Sequence, residues 1–348
     1  NMLKKKILGI LNKKKILNVE KFLDICLYDD EYGYYKNSQI LGSQGDFTTS
    51  PEISQCFGDI LGLFILNYWQ KHIKEKINLI ELGPGNGTLL NDILTVTKKF
   101  KDFHNSISIN LIEKNKKLVE KQKIKLSNNN IDINWSEDFL IANKKKPAVI
   151  IANEFFDCFP VRQFFKKKNI WYEKMIAMNE DGNSFFFKDH PVVNSSTLAK
   201  INEYKPNEIL EFSKSREDYF SKICKYIHET GGVIIMIDYG YYDKPNNFTL
   251  QSLFNHKKSN VIDNIGYQDI STLVDFKKLI NLAKNYELNI NTFCSQREFF
   301  LTYGIIERVK KISYSSTKIE RIMLKKDVER IIDINGMGTL FKVLVISK

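Results

Sequence analysis

The sequence predicts an α/β fold on a mostly parallel sheet of about seven strands, and three observations predict it. Between Ile77 and Phe100 an apolar run ends in a glycine-rich turn and gives way to a helical pattern. The same alternation of strand and helix recurs down the chain, which argues for parallel strands joined by crossover helices. The 348 residues are 43% hydrophobic and 27% charged, enough to bury a large core. That length suits one fold carrying insertions better than two separate domains.

Each element follows from its residues. Ile77 to Gly83 (INLIELG) is the first strand, and Thr88 to Phe100 is the helix after the turn. Ile107 to Glu113 is the second strand, followed by a helix over KNKKLVEKQKIKL. Ile131 to Trp135 and Pro147 to Asn153 are the third and fourth, the latter apolar enough to be buried on both faces. Ile209 to Glu229 reads as one helix closed by Gly231-Gly232, and Val233 to Gly240 as the fifth strand. A helix over Val274 to Glu287, the strand LNINTF and a final strand over Thr339 to Lys348 complete a Rossmann-like order. Residues 1–76 read as an N-terminal helical extension with a lid loop over the site. The core spans 77–348, with insertions at about 161–205, 241–273 and 296–335. In the first insertion, VRQFFKKKNIWYEKMIAM and NSFFFKD alternate as hairpin strands do; REFFLTYGIIERVKKI in the last is helical.

Composition excludes several function classes. Lys plus Arg total 52 against 41 Asp plus Glu, a net charge of +11. Only six of these are arginines, so the guanidinium forks that read phosphates and bases are scarce, and the lysine runs read as solvated surface. Nucleic acid is therefore not the expected partner. The five cysteines form no CxxC pair and the five histidines no HxxxH, so neither a metal site nor a disulfide framework is expected. Packed, reduced thiols and the lack of a long apolar segment point to a reducing compartment without membrane insertion. The lysine-only start lacks the arginine and serine of a mitochondrial presequence.

The chemistry lies at strand ends. In E-L-G-P-G-N-G, Gly83, Gly85 and Gly87, with Pro84 between the first two, let the backbone turn tightly against a ligand. The spacing is not GxGxxG, and Glu81 precedes it, where a carboxylate would repel a pyrophosphate but suit an ammonium. S-adenosylmethionine carries an ammonium and a sulfonium and no phosphate. Glu113 ends the second strand, where a carboxylate can accept both ribose hydroxyls; its other reading is an acid at a helix start. Asp138 follows the third strand near an adenine edge, or else serves a turn with Ser136, and both readings stay open. After the fourth strand, N-E-F-F-D-C-F-P brings Asn153, Glu154 and Asp157 to the carboxyl end of the sheet, walled by Phe155, Phe156 and Phe159. Capping by Asn153 and Asp157 with a solvated Glu154 is the plainer alternative. Upstream, Asp29 to Tyr35 and Gly42 to Gln55 read as a structured loop over the site, with Asp46 and Thr48 as candidates to reach the cofactor. Ser50 before Pro51 reads as the N-cap of a helix running on through Gln70.

Taken in order, EYGYY, GDFTTSPEISQCFG, ELGPGNGTL, ANEFFDCFPVRQF, DYG, DISTLVDF, SQREFFLTYGI and MGTLFKVL resemble the MidA-like family of class I S-adenosylmethionine-dependent methyltransferases. That family includes the mitochondrial arginine methyltransferase that assists respiratory complex I assembly. Cys158 stands where the family pattern has alanine, and Ser295-Gln296 where it has Thr-Gln. The resemblance implies a protein substrate, an arginine on the 49 kDa-type subunit of complex I or its bacterial counterpart, and a symmetric dimethylarginine product. It implies the cytoplasm of a bacterium or the mitochondrial matrix of a eukaryote. Arginine stays protonated unless carboxylates orient it and accept the released proton, for which Glu154 and Asp157 are the candidates. The two-glutamate hairpin of better-known arginine methyltransferases is not visible. Two other readings remain: a methyltransferase of a small molecule or RNA, and a non-catalytic assembly chaperone that keeps the fold.

Overall fold

In the computed structural model, which describes residues 1–36, 48–129, 131–139, 146–202, 204, 209–255 and 257–348, the apolar run at Ile77–Leu82 (β1) is buried along its whole length. The other core strands are Ile107–Ile112 (β2), Ile133–Ser136 (β3), Ala148–Asn153 (β4), Gly232–Tyr241 (β5), Asn289–Ser295 (β6) and Phe341–Ser347 (β7). They lie in the order β6-β7-β5-β4-β1-β2-β3, and the short strand Val274–Asp275 adds to β5. All neighbours from β5 to β3 pair parallel, whereas β7 runs antiparallel to both β5 and β6. The chain leaves β1 toward β2 and β3 and returns on its other side as β4. The strand order therefore reverses between β1 and β4, which opens a crevice beyond their carboxyl ends.

Strand periodicity sorts the side chains into two cores. On one face Leu79, Ile109, Val149 and Val345 pack with Phe57, Ile60 and Ile65 of the helix Gln55–Tyr68 and with Phe299 and Phe300. On the other, Ile80, Ile150, Ile234 and Leu344 pack with Phe220 and Ile223 of the helix Lys214–Thr230 and with Phe276 and Leu279. Each of these aliphatic or aromatic side chains contributes about 1.5–3 kcal/mol by leaving water.

Two elements differ from the sequence reading. Ile209–Phe212 is a strand, because Ile209 to Phe212 pair antiparallel with Phe165 to Arg162; the helix starts afterwards, with the Ser213 side chain accepting from the Arg216 amide. The helix expected from Ser50 is two helices. Ser50–Ile53 is a single turn with Thr49 at its cap position, and Ser54, in extended backbone, caps Gln55–Tyr68 through the Cys56 amide. Ser50 is itself fully buried and caps nothing.

The alternation at residues 161–189 yields antiparallel strands Arg162–Lys167, Ile170–Met178 and Phe185–Pro191. Ile16–Asn18 from the N-terminal segment joins this sheet against Met175 to Ala177. A third, small sheet contains Gln251–Phe254, Lys257–Ser259 and Asp269–Ser271. Among the described residues all five cysteines are free, and no helix is long and apolar enough to cross a membrane.

Candidate active site

The crevice at the sheet's switch point holds a cavity of about 680 Å³, bounded by the loops after β1, β2, β3 and β4. The first of these is the glycine turn. Gly83, Gly85 and Gly87 adopt φ of 61°, 55° and 76°, the left-handed region that side chains disfavour. A Cβ at Gly83 would also come within 3.0 Å of the Phe155 ring. Gly83, Pro84 and Gly85 line the cavity, while Gly87 occupies the cap position of the helix Thr88–Thr97.

Acids close the strand ends. Glu81, only 3% exposed, reaches the cavity with Oε2 lacking any hydrogen-bond partner among the described residues. Burial, and then the charge of Glu113, push its pKa up to about 8. Glu113 is half-buried on the same wall; Oε1 accepts from the Asn115 amide at 2.8 Å and Oε2 from Gln122 Nε2 at 3.4 Å. Burial raises its pKa and these donors oppose the rise. Beyond β3, Glu137 lines the cavity, whereas Asp138 is exposed and offers its backbone carbonyl to Ser136 Oγ at 3.1 Å. The acid on the cavity wall after β3 is thus Glu137, the neighbour of Asp138.

The loop after β4 is held against its own preference. Glu154 has φ of 50°, a strain of about 1–3 kcal/mol for a residue with a side chain. Its amide donates to Ile237 O at 2.8 Å. Asp238, fully buried on β5, accepts from the amides of Phe155 at 3.2 Å, Phe156 at 2.8 Å and Tyr239 at 2.9 Å. Glu154 Oε1 accepts from the Ser50 amide at 3.0 Å and from Asn153 Nδ2 at 3.4 Å, while Oε2 has no partner among the described residues. Burial pushes its pKa up to about 8, against the pull of the Ser50 amide. Asp157 is held well above its ordinary range by burial and then by Asp238, Asp269 and Glu154, with Arg216 opposing. Arg216 donates to Phe156 O at 2.8 Å and to Thr272 Oγ1 at 2.7 Å, and the Thr272 amide donates to Asp157 O at 2.9 Å, so the loop is braced from below.

The N-terminal segment supplies the roof. Glu52 Oε1 accepts from Thr88 Oγ1 at 2.5 Å and Asn86 Nδ2 at 3.5 Å, tying this segment to the glycine turn. Tyr28 and Tyr35 stack at 5.4 Å; Tyr28 donates to Cys158 O at 3.0 Å and Tyr35 to Asp269 Oδ1 at 3.4 Å. Thr48 is half-buried just before the wall residue Thr49, and Asp46 lies outside the described residues. The site residues that sequence reasoning missed are Glu52, Gln122, Asp238 and Asp269. The strings containing Glu52, Asp238 and Asp269 were visible, but only as family segments.

Among the described residues ten carboxylates line the cavity against three lysines, in a chain of net charge +11. The cavity is therefore built for a cation. A buried acid whose Oε2 has no partner among the described residues, a glycine backbone in the left-handed region and a second acid one strand away suit an amino-acid ammonium and a ribose. No group of three or more metal-ligating side chains occurs among the described residues.

Known proteins are similar to this chain in sequence and in fold. The Xenopus laevis protein arginine methyltransferase NDUFAF7, mitochondrial, is 30% identical over 331 residues, 87% of this chain and 74% of its own length. The human protein of that name is 29% identical over 352 residues, covering 93% and 78%. A Burkholderia thailandensis structure bound to S-adenosyl-homocysteine superimposes with a TM-score of 0.86 at 20% identity, over 100% of this chain and 92% of its own, and so has the same class I methyltransferase fold. Residues 60–294, from the helix beneath the glycine turn to β6, match the family described as S-adenosyl-L-methionine-dependent methyltransferases. With that match spanning most of the chain, the protein belongs to this family, and S-adenosylmethionine is its cofactor.

Proposed function

We propose that this chain methylates an arginine of a protein partner. The observation that carries the reading is Glu154: a carboxylate fixed through Oε1 by the Ser50 amide, with Oε2 unpaired among the described residues, in a cavity where described acids outnumber lysines. The relatives named as protein arginine methyltransferases support the same acceptor.

The cofactor supplies an electrophilic methyl on a sulfonium. Glu81 would hold its ammonium, the backbone of Gly83 to Gly85 would lie against it and Glu113 would accept its ribose hydroxyls. Glu154 and Asp157 then face the acceptor. Burial disfavours the ionised form of both while the site is empty, and the charge of an arriving guanidinium favours it. Glu154 Oε2 would accept a guanidinium N–H, localise the positive charge on the other nitrogens and take up the proton released as the methyl passes from sulfur to nitrogen, the sulfonium leaving as a neutral thioether. Asn153 Nδ2 keeps Oε1 oriented, and Phe155 and Phe159 exclude water.

The finer assignment is a 49 kDa-type subunit of respiratory complex I as partner and symmetric dimethylarginine as product, in the mitochondrial matrix of a eukaryote or the cytoplasm of a bacterium. The purified chain, methyl-labelled cofactor and that subunit test it by mapping the label. Label on an arginine of the subunit supports the reading. Label only on RNA or a small molecule, or no transfer by a chain that binds the cofactor, rejects it.

A further inference from the structure

One side chain joins the glycine turn, the end of β2 and the strand β3. Gln122 is fully buried on the helix Lys116–Leu126, one layer behind the cavity wall. Its Nε2 donates to Gly85 O at 2.7 Å and to Glu113 Oε2 at 3.4 Å, while its Oε1 accepts from Trp135 Nε1 on β3 at 2.9 Å. A Cβ at Gly87 would rest 3.4 Å from its Cγ, so the glycine turn also packs on its stem.

The orientation of this amide is forced. An indole N–H can only donate and a backbone carbonyl can only accept. Trp135 must therefore face the oxygen of Gln122, which leaves both N–H groups for Gly85 and Glu113. A glutamate of the same shape would set an oxygen against each of those acceptors.

We propose that Gln122 is the positioning residue of the cofactor site, fixing the glycine turn and the Glu113 carboxylate in one register and holding Glu113 as an anion. The proposal rests on the assignment of Glu113 to the cofactor's ribose. Glu113 accepts two ribose hydroxyls only when ionised, in a place where burial favours its neutral form, and the Gln122 N–H opposes that tendency. Glu81, Lys36, Lys114 and Glu137 share the cavity wall with Glu113, and the substitutions below leave all four in place.

The test is calorimetric binding of S-adenosyl-homocysteine to the whole chain at two pH values. Gln122→Met keeps length and removes both donors. Its Kd should rise about tenfold over wild type at about pH 6 and by a smaller factor at higher pH, because the lost N–H is one of the donors that favour the ionised Glu113 carboxylate against burial. The ratio to wild type cancels the ligand's own titration. Gln122→Glu should weaken binding further at both values. Trp135→Phe is the second arm in case the buried variants do not fold: Trp135 is partly exposed and lies off the cavity wall, and phenylalanine keeps an aromatic ring while removing the N–H that fixes the Gln122 amide. It should show the same pH signature at smaller amplitude. A ratio independent of pH, as loss of packing alone would give, overturns the proposal. So does unchanged affinity in Trp135→Phe and Gln122→Met while Glu113→Ala is weakened. Unchanged affinity in Glu113→Ala itself overturns the ribose assignment, and this proposal with it.

Discussion

The backbone amide of Ser50 donates a 3.0 Å hydrogen bond to Glu154 Oε1, joining the N-terminal segment to the loop after β4 across 104 positions of sequence. Two residues on, Glu52 grips the glycine turn through Thr88 and Asn86. A single turn of helix thus touches both the acid proposed to face the acceptor and the loop proposed to face the cofactor. The same turn therefore links the Glu154 carboxylate to the glycine turn through two sets of hydrogen bonds.

Gly85→Val should abolish cofactor binding. A β-branched side chain at φ of 55° is strained, and it would project from a residue that lines the cavity. Calorimetry with S-adenosyl-homocysteine checks it, and wild-type affinity would place the cofactor elsewhere.

Glu113→Ala should weaken the same binding by tenfold or more while the fold survives, since each charge-assisted hydrogen bond to ribose contributes about 1.5–3 kcal/mol less what water restores. An unchanged Kd returns Glu113 to the role of a strand-end acid.

Burial sets a pH dependence at Glu81. Its folded pKa of about 8 lies above the ordinary 4.5, so between these values the folded chain binds more protons than the unfolded one. Its contribution to stability is therefore full at acid pH and is lost as pH rises through that window. Glu81→Gln removes the titration. In ligand-free thermal melts the variant should exceed wild type by on the order of 2 kcal/mol near pH 9 and converge with it near pH 5. Equal melts at alkaline pH would show that Glu81 is not a buried, unpaired charge.

Asp238→Asn should loosen the loop that carries Glu154. The carboxylate accepts three amides, and an amide side chain must turn its own N–H2 toward at least one of them. A loss of about 2 kcal/mol in stability is expected, with methyl transfer falling further than cofactor affinity. An unchanged melting midpoint would remove Asp238 from the support of this loop.

The strands and crossover helices of the core were legible because each is specified locally: Ala148–Asn153 is apolar throughout, and Gly83 to Gly87 announce a turn by composition. Features built by distant pairing were not. Ile209–Phe212 looks like the start of a helix until Arg162–Phe165 lies beside it, and Ser50 looks like a cap until Glu154 claims its amide. Gln122 reaches Gly85 across 37 positions and Asp238 reaches Phe155 across 83, where no spacing rule reaches. Glu81, Glu113 and Glu154 could be found because they stand at strand ends, the one place where topology and chemistry coincide in an open α/β sheet.

The central claim is that Glu154 acts on the acceptor and not on the cofactor, and Glu154→Gln isolates it by keeping size and hydrogen bonding while removing charge. Single-turnover transfer to the arginine-bearing partner, at saturating cofactor, is the measurement. The account predicts a rate lower by about 10²-fold or more with cofactor affinity hardly moved. A rate within about two- to threefold of wild type, under about 1 kcal/mol of barrier, would contradict it.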